Sequence, residues 1–180
     1  LGAKIGFVDC DDTFCMNVDQ IESKINKNTK AIVPVHFTGY MTNMPKLIKL
    51  AKKYNIQIIE DACQSILGSV DNKNAGTWGL AGAFSLHPLK NINVWSDGGV
   101  IVTDNEDVYK QMCLLRNHGL HDRDTVEILG YNSRLDTFQA IVGNWLLPQA
   151  NDISEKRIEN ANYLDKYLNE INEISLPPRP

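Results

Sequence analysis

Four polar residues stand where apolar runs end, and their types suit chemistry on a carbonyl group. Asp61 closes the run IQIIEDA, and Gln64 follows three residues later. Ser85 lies near the end of the next run, AGAFSL, and Lys90 comes five residues after it in SLHPLKN. A lysine is ordinarily a solvated surface charge. Lys90 instead sits in a turn-rich stretch just past an apolar run, beside Pro88 and Leu89. Desolvation there would favour the free amine, the form that attacks a carbonyl to make a Schiff base. An aspartate, a glutamine, a serine and a lysine on neighbouring strand ends are the parts that a pyridoxal phosphate site needs. The carboxylate would keep the pyridine nitrogen protonated, and the amine would tether the aldehyde. A blander reading fits the same residues, with EDA as a helix-capping end and Lys90 as a loop charge in a non-catalytic α/β module.

Other site chemistries fit less well. Gly76, Gly79 and Gly82 have the wrong spacing for G-x-G-x-x-G, and they precede a strand instead of opening a helix. No G-x-x-x-x-G-K-S/T occurs, which disfavours a P-loop. His118 and His121 flank Gly119 in a loop with no third ligand nearby, and the four cysteines show no zinc spacing, so no metal site is expected.

The elements that must position these residues follow from periodicity. Residues 31–37, AIVPVHF, read as a buried strand. Thr42 and Asn43 are candidate helix caps with Pro45 in the first turn, and Leu47, Leu50, Ala51 and Tyr54 then form an amphipathic stripe. IQIIEDA is a second strand, so the three segments make a βαβ unit with parallel strands. A third strand spans about 81–86 and a fourth about 99–104. The dozen residues between them leave no room for a crossover helix, so the fourth strand should run antiparallel. Helices are expected over 105–117, with Val108, Met112 and Leu115 on one face, then near 135–147, ending at Pro148, and over about 152–172. In open sheets of this kind ligands bind at the carboxyl ends of strands, which singles out His36, the Glu60-Asp61 pair and the segment from Ser85 to Lys90.

Composition bounds the rest. The 180 residues suffice for one α/β domain, with 43% hydrophobic and 22% charged residues. The net charge of −4 comes without a long basic run, which argues against binding a phosphate backbone, so no nucleic-acid partner is expected. No apolar stretch approaches the roughly 18 residues of a membrane span, so no membrane partner is expected. Neither a signal sequence nor a paired-cysteine pattern is visible, and free thiols suit a cytoplasmic protein.

Six segments, VPVHFTGY, IIEDACQS, AGTWGLAGAFSLHPLKN, DGGVIVT, LRNHG and YNSRLDTFQA, occur in the order and rough spacing of one family. From residue 1 to about 165 the chain resembles the DegT/DnrJ/EryC1/StrS family of pyridoxal-phosphate-dependent sugar aminotransferases. That resemblance implies an α/β, aspartate-aminotransferase-like (fold type I) large domain with a mostly parallel sheet and one antiparallel strand. It also implies transamination of a nucleotide-linked ketosugar, with L-glutamate as donor, in a homodimer. Lys90 then looks like the lysine that forms the internal aldimine and shuttles the proton, and Asp61 like the partner of the pyridine nitrogen. Gln64 looks like the residue beside the phenolic oxygen and ring face, and Ser85 like a phosphate ligand. Asn132 looks like the residue that reaches the other subunit's cofactor phosphate. A dehydratase branch of the family carries a histidine in place of the lysine, so Lys90 points to transamination. Another fold type I pyridoxal-phosphate enzyme, such as an amino-acid-side-chain lyase, is a further alternative. The resemblance further suggests an internal piece, truncated at both ends, with 1–148 in the cofactor domain and 149–180 as a linking helix and the start of a small C-terminal domain.

Overall fold

A computed structural model describes residues 2–179. The N-terminal part carries a short helix, α1 (Val18–Ile21), capped by the Asn17 side chain, and then strand β1 (Ala31–Ile32). Helix α2 (Met44–Tyr54) begins where the sequence signals it. Asn43 Oδ1 accepts from the Lys46 N–H at 3.1 Å, and Pro45 occupies the first turn, where its missing N–H costs nothing. Asn55 ends the helix in the left-handed conformation at φ 52°. Met44, Leu47 and Ala51 are buried against Ile32, Ile58, Val18 and Ile21. Leu50 is only half-buried, and Tyr54 turns outward, its hydroxyl donating to Glu22.

Strand β2 (Gln57–Asp61) pairs with β1 in parallel, so the expected βαβ unit is present. The expected strand over 31–37 is shorter than its apolar run. Only Ala31 and Ile32 pair regularly, and beyond them a single bridge joins Val35 to Asp61. Pro34 lacks the N–H that would continue the ladder. The alternation persists regardless, with Ile32, Pro34 and His36 buried and Val33, Val35 and Phe37 exposed.

A small antiparallel hairpin that periodicity did not signal, β3 (Ser69–Val70) and β4 (Lys73–Asn74), leads into the glycine loop. Strand β5 (Ala81–Ser85) then pairs with β2 in parallel, placing Ile59 against Ala81 and Asp61 against Ala83. Strand β6 (Gly99–Val102) returns antiparallel to β5, with Ser85 against Gly99, and the sheet order is β1-β2-β5-β6. The glycines of GTWGLAG serve close packing. A Cβ on Gly82 would lie 2.2 Å from the Gly76 Cα, and one on Gly79 would lie 2.4 Å from the Ile58 carbonyl oxygen.

The segment 86–98 between β5 and β6 closes on itself, as Leu86 N–H donates to Gly98 O at 2.8 Å and Val94 N–H to Leu86 O at 3.1 Å. Leu86, Ile92 and Val94 are buried with Ala150, and Leu135, Leu146 and Ile153 pack against them. Helix α3 (Glu106–Arg116), capped by Asn105, has no buried residue, so the expected Val108, Met112 and Leu115 face is at most half-covered. Helix α4 (Thr137–Leu146) opens with a reciprocal capping box between Asp136 and Gln139. A 3-10 turn through Pro148 separates it from α5 (Ala150–Leu168), which starts and stops a few residues before the expected 152–172.

Candidate functional site

Strand β2 delivers Asp61 at its carboxyl end, half-buried. Its main chain is held on both sides: Asp61 N–H donates to Pro34 O, and His36 N–H donates to Asp61 O, each at 2.9 Å. One carboxylate oxygen, Oδ1, accepts from the Cys63 N–H at 3.1 Å. Ser85 lies two residues past Ala83, the partner of Asp61, so its side chain shares the Asp61 face of the sheet. One strand spacing and two residues of rise put the two Cα atoms about 8 Å apart. Ser85 Oγ accepts from the His87 N–H at 3.3 Å, which leaves its hydroxyl proton for another acceptor. Lys90 follows in the turn, its N–H bonded to His87 O at 2.9 Å, and it is half-buried.

Cys63, which sequence reasoning did not single out, sits among these groups. Its thiol meets the Ala83 carbonyl at 3.7 Å. Burial pushes its pKa up to about 11, and the Asp61 carboxylate adds to the rise, against the opposing pull of the Lys90 ammonium and the Ser85 backbone N–H. Cys63 thus bridges the two strand ends, touching Asp61 of β2 through its N–H and Ala83 of β5 through its thiol. Gln64 joins the same strand end, with Oε1 accepting from the Thr38 N–H at 3.0 Å. Thr38 is in the left-handed region at φ 52°, in the turn that follows His36.

The other two strand-end candidates, His36 and Glu60, point to the opposite face and are fully buried. Glu60 is therefore no helix cap. Burial pushes its carboxyl up, but the His36 ring and the backbone N–H groups of Gly79, Gly76 and Trp78 outweigh that and hold it below its ordinary value.

Asn132 is exposed in the loop between α3 and α4, paired through a single bridge with Asn117. Neighbouring bonds, His118 N–H to Tyr131 O and Tyr131 N–H to Leu115 O, pin this loop to the end of α3. Among the described residues no hydrogen bond joins Asn132 to Asp61, Gln64, Ser85 or Lys90.

The donor set suits pyridoxal phosphate. Asp61 has a carboxylate oxygen to spare for a ring N–H, Ser85 a hydroxyl for a phosphate oxygen, and Gln64 an amide NH₂. Lys90 forms no ion pair among the described residues, so its amine is not engaged by a carboxylate.

Comparison with known proteins places the chain. Residues 1–180 match the DegT/DnrJ/EryC1/StrS aminotransferase family, and the chain belongs to it. Among its relatives is the UDP-N-acetyl-3-dehydro-alpha-D-glucosamine 3-aminotransferase of Acidithiobacillus ferrooxidans, 36% identical over 181 residues, covering 100% of this chain and 49% of the relative. A DegT/DnrJ/EryC1/StrS aminotransferase from Brucella abortus superposes with a TM-score of 0.91 at 32% identity, over 99% of this chain and 50% of the other. The Bacillus subtilis NtdA structure, with bound cofactor PMP, gives a TM-score of 0.82 at 34% identity, over 96% and 40% respectively. The fold is thus the expected aspartate-aminotransferase-like one. The chain spans about half the length of the curated relatives it matches. Among the described residues no helix is long and apolar enough to cross a membrane.

Proposed function

We propose that the protein containing this chain is a pyridoxal-phosphate-dependent aminotransferase that moves an amino group from L-glutamate to a nucleotide-linked ketosugar. The observation that carries this reading is the β2–β5 register, which sets Asp61 and Ser85 on one face of the sheet with Lys90 in the turn just beyond, in a chain that belongs to a sugar aminotransferase family. When bound, pyridoxal phosphate supplies an electron-withdrawing ring that accepts the electrons released as a proton leaves the substrate carbon beside nitrogen.

This chain's residues do the rest. Lys90 Nζ would hold the cofactor covalently and, as a free amine, would serve as the base and acid that moves the proton at the substrate carbon. The Asp61 carboxylate would accept a hydrogen bond from the ring N–H and keep that proton in place. The Ser85 hydroxyl donates to the phosphate, and the Gln64 amide, braced by Thr38, donates towards the phenolic oxygen. Glutamate as donor gives 2-oxoglutarate in the first half-reaction, and the reverse half-reaction aminates the sugar.

The same reading includes a homodimer in which Asn132, exposed on its loop, contacts the other subunit's cofactor phosphate. It divides the chain at the 3-10 turn around Pro148, with 1–148 in the cofactor domain and 149–180 leading into a second domain. Four free cysteines agree with a cytoplasmic location.

Absorption spectroscopy of the full-length protein with pyridoxal phosphate tests the lysine. The wild type shows the visible band of lysine-linked cofactor, and Lys90→Ala abolishes it. A band retained in Lys90→Ala overturns the assignment. Incubation with glutamate and UDP-linked ketosugars tests the reaction, for which the expected result is 2-oxoglutarate equimolar with aminated sugar.

A further inference from the structure

The proposed chemistry leaves a fully buried histidine–glutamate pair, His36 and Glu60, unused, and both adjoin Asp61. Glu60 Oε1 accepts from the N–H groups of Trp78 at 2.6 Å and Gly79 at 2.8 Å. Its Oε2 accepts from the Gly76 N–H at 2.8 Å and meets His36 Nε2 at 3.0 Å. Four protein donors therefore converge on one carboxylate. The ring's other nitrogen, Nδ1, faces the Thr42 N–H at 3.3 Å and must accept from it. The hydrogen-bond network thereby assigns the ring proton to Nε2, aimed at Glu60.

The same two residues also grip Asp61 through the main chain. Glu60 is its immediate predecessor on β2, with the side chain on the opposite face. His36 donates its backbone N–H to Asp61 O, and the turn that follows His36 donates to Gln64 through Thr38. A tilt of the strand end at Glu60 is thus passed directly to the Asp61 carboxylate, and a shift of His36 reaches both Asp61 and Gln64.

We propose that His36 and Glu60 form a positioning pair for the cofactor site, fixing the angle at which Asp61 meets the ring nitrogen and the place of the Gln64 amide. This rests on the reading of Asp61 as the ring-nitrogen partner. The pair works from the far face of the sheet and touches neither cofactor nor substrate. Burial suits that task, because a desolvated, fully satisfied network has a single geometry, whereas a solvated one fluctuates. A displacement of Asp61 by a fraction of an ångström weakens the bond that holds the ring proton.

The test uses the full-length holoenzyme loaded with pyridoxal phosphate labelled with nitrogen-15 in the ring. The nitrogen resonance reports whether the ring proton is held, and steady-state kinetics are read alongside. His36→Met removes the ring donor and keeps the bulk. Glu60→Gln puts an NH₂ against the Gly76 and His36 donors. His36→Gln restores an N–H towards Glu60 and serves as the conservative variant.

The expected result is a resonance moved towards the unprotonated value in His36→Met and Glu60→Gln. With it comes a loss of roughly tenfold or more in kcat, with little change in KM for glutamate. His36→Gln recovers most of both. If His36→Met folds with lower stability yet keeps the wild-type resonance and kcat, the pair is only structural and the proposal is overturned; should His36→Met fail to fold, the same outcome in Glu60→Gln overturns it. Asp61→Asn, measured in parallel, separates the two layers. A resonance moved in Asp61→Asn but not in the pair variants sinks the pair alone, and one unmoved in Asp61→Asn sinks the Asp61 reading and the pair with it.

Discussion

A single methyl group placed at Gly82 should unsettle the site without touching a functional side chain. Gly82 has no positive φ, so alanine is conformationally allowed there and the effect is purely steric. The added Cβ would lie 2.2 Å from the Gly76 Cα and 2.5 Å from the Gly76 carbonyl oxygen, both backbone atoms that cannot swing aside. The 76–79 loop must therefore retreat from the sheet. Overpacking of this kind costs about 1–3 kcal/mol. The retreat also withdraws Gly76, Trp78 or Gly79 from Glu60, and each hydrogen bond to a buried charge contributes roughly 1.5–3 kcal/mol. With one such bond lost, Gly82→Ala should destabilise the protein by about 2.5–6 kcal/mol. Urea denaturation of the full-length protein, followed by tryptophan fluorescence, gives the difference. Gly6→Ala is the control, because a Cβ there meets nothing within 4 Å and should leave stability within about 0.5 kcal/mol. A Gly82→Ala midpoint equal to that of Gly6→Ala would refute the packing argument and the loop's part in holding Glu60.

Three other perturbations have defined outcomes. Asp61→Asn in the full-length enzyme should keep much of the cofactor affinity while turnover drops on the order of 100-fold, measured by cofactor titration and by 2-oxoglutarate release; unchanged turnover would remove Asp61 from its role. Cys63, raised from 9.0 to about 11, should hold roughly 100-fold less thiolate at neutral pH than an ordinary cysteine. In the apo protein it should alkylate with iodoacetamide far more slowly than exposed Cys10, and equal rates by mass spectrometry would contradict that placement. The Glu60 carboxyl is lowered below its ordinary 4.5, so its stabilising contribution is present above that pH and fades as the pH falls through the lowered value. The stability gap between wild type and Glu60→Gln should therefore narrow on acidification below about pH 4.5 in urea titrations, and a gap that widens would show the sign to be wrong.

Much of this architecture was legible because local signals agreed with one another. Asn43 and Pro45 announce α2, and the short 86–98 connection dictates the antiparallel return of β6. Apolar runs ending on Asp61 and Ser85 marked the strand ends that the structure joins. What stayed hidden depends on contacts remote in sequence. No period shows that Pro34 would cut β1 short, or that two-residue strands would pair at Ser69–Asn74. The Gly76, Gly79 and Gly82 spacing looks like a faulty nucleotide loop until Ile58 and Glu60 are placed beneath it. Likewise His36 and Glu60 were marked by position as site candidates. Only side-chain direction reveals that they face away from Asp61, since residues one apart on a strand point to opposite sides. Cys63 carried no signal at all, because its significance lies wholly in its neighbours.

The closed segment that carries Lys90 has a kinetic consequence. Its base is stapled by the Leu86–Gly98 hydrogen bond and its interior is anchored by Ile92 and Val94. The entropy of closing that loop is lost when the domain folds, not when a substrate arrives. An amine mounted on such a staple explores a few ångströms by side-chain rotation while its backbone stays put. In the role proposed for Lys90, its reach to a reacting carbon would then be set by four side-chain torsions, and each proton transfer would be a return over a short, preset path and not a search.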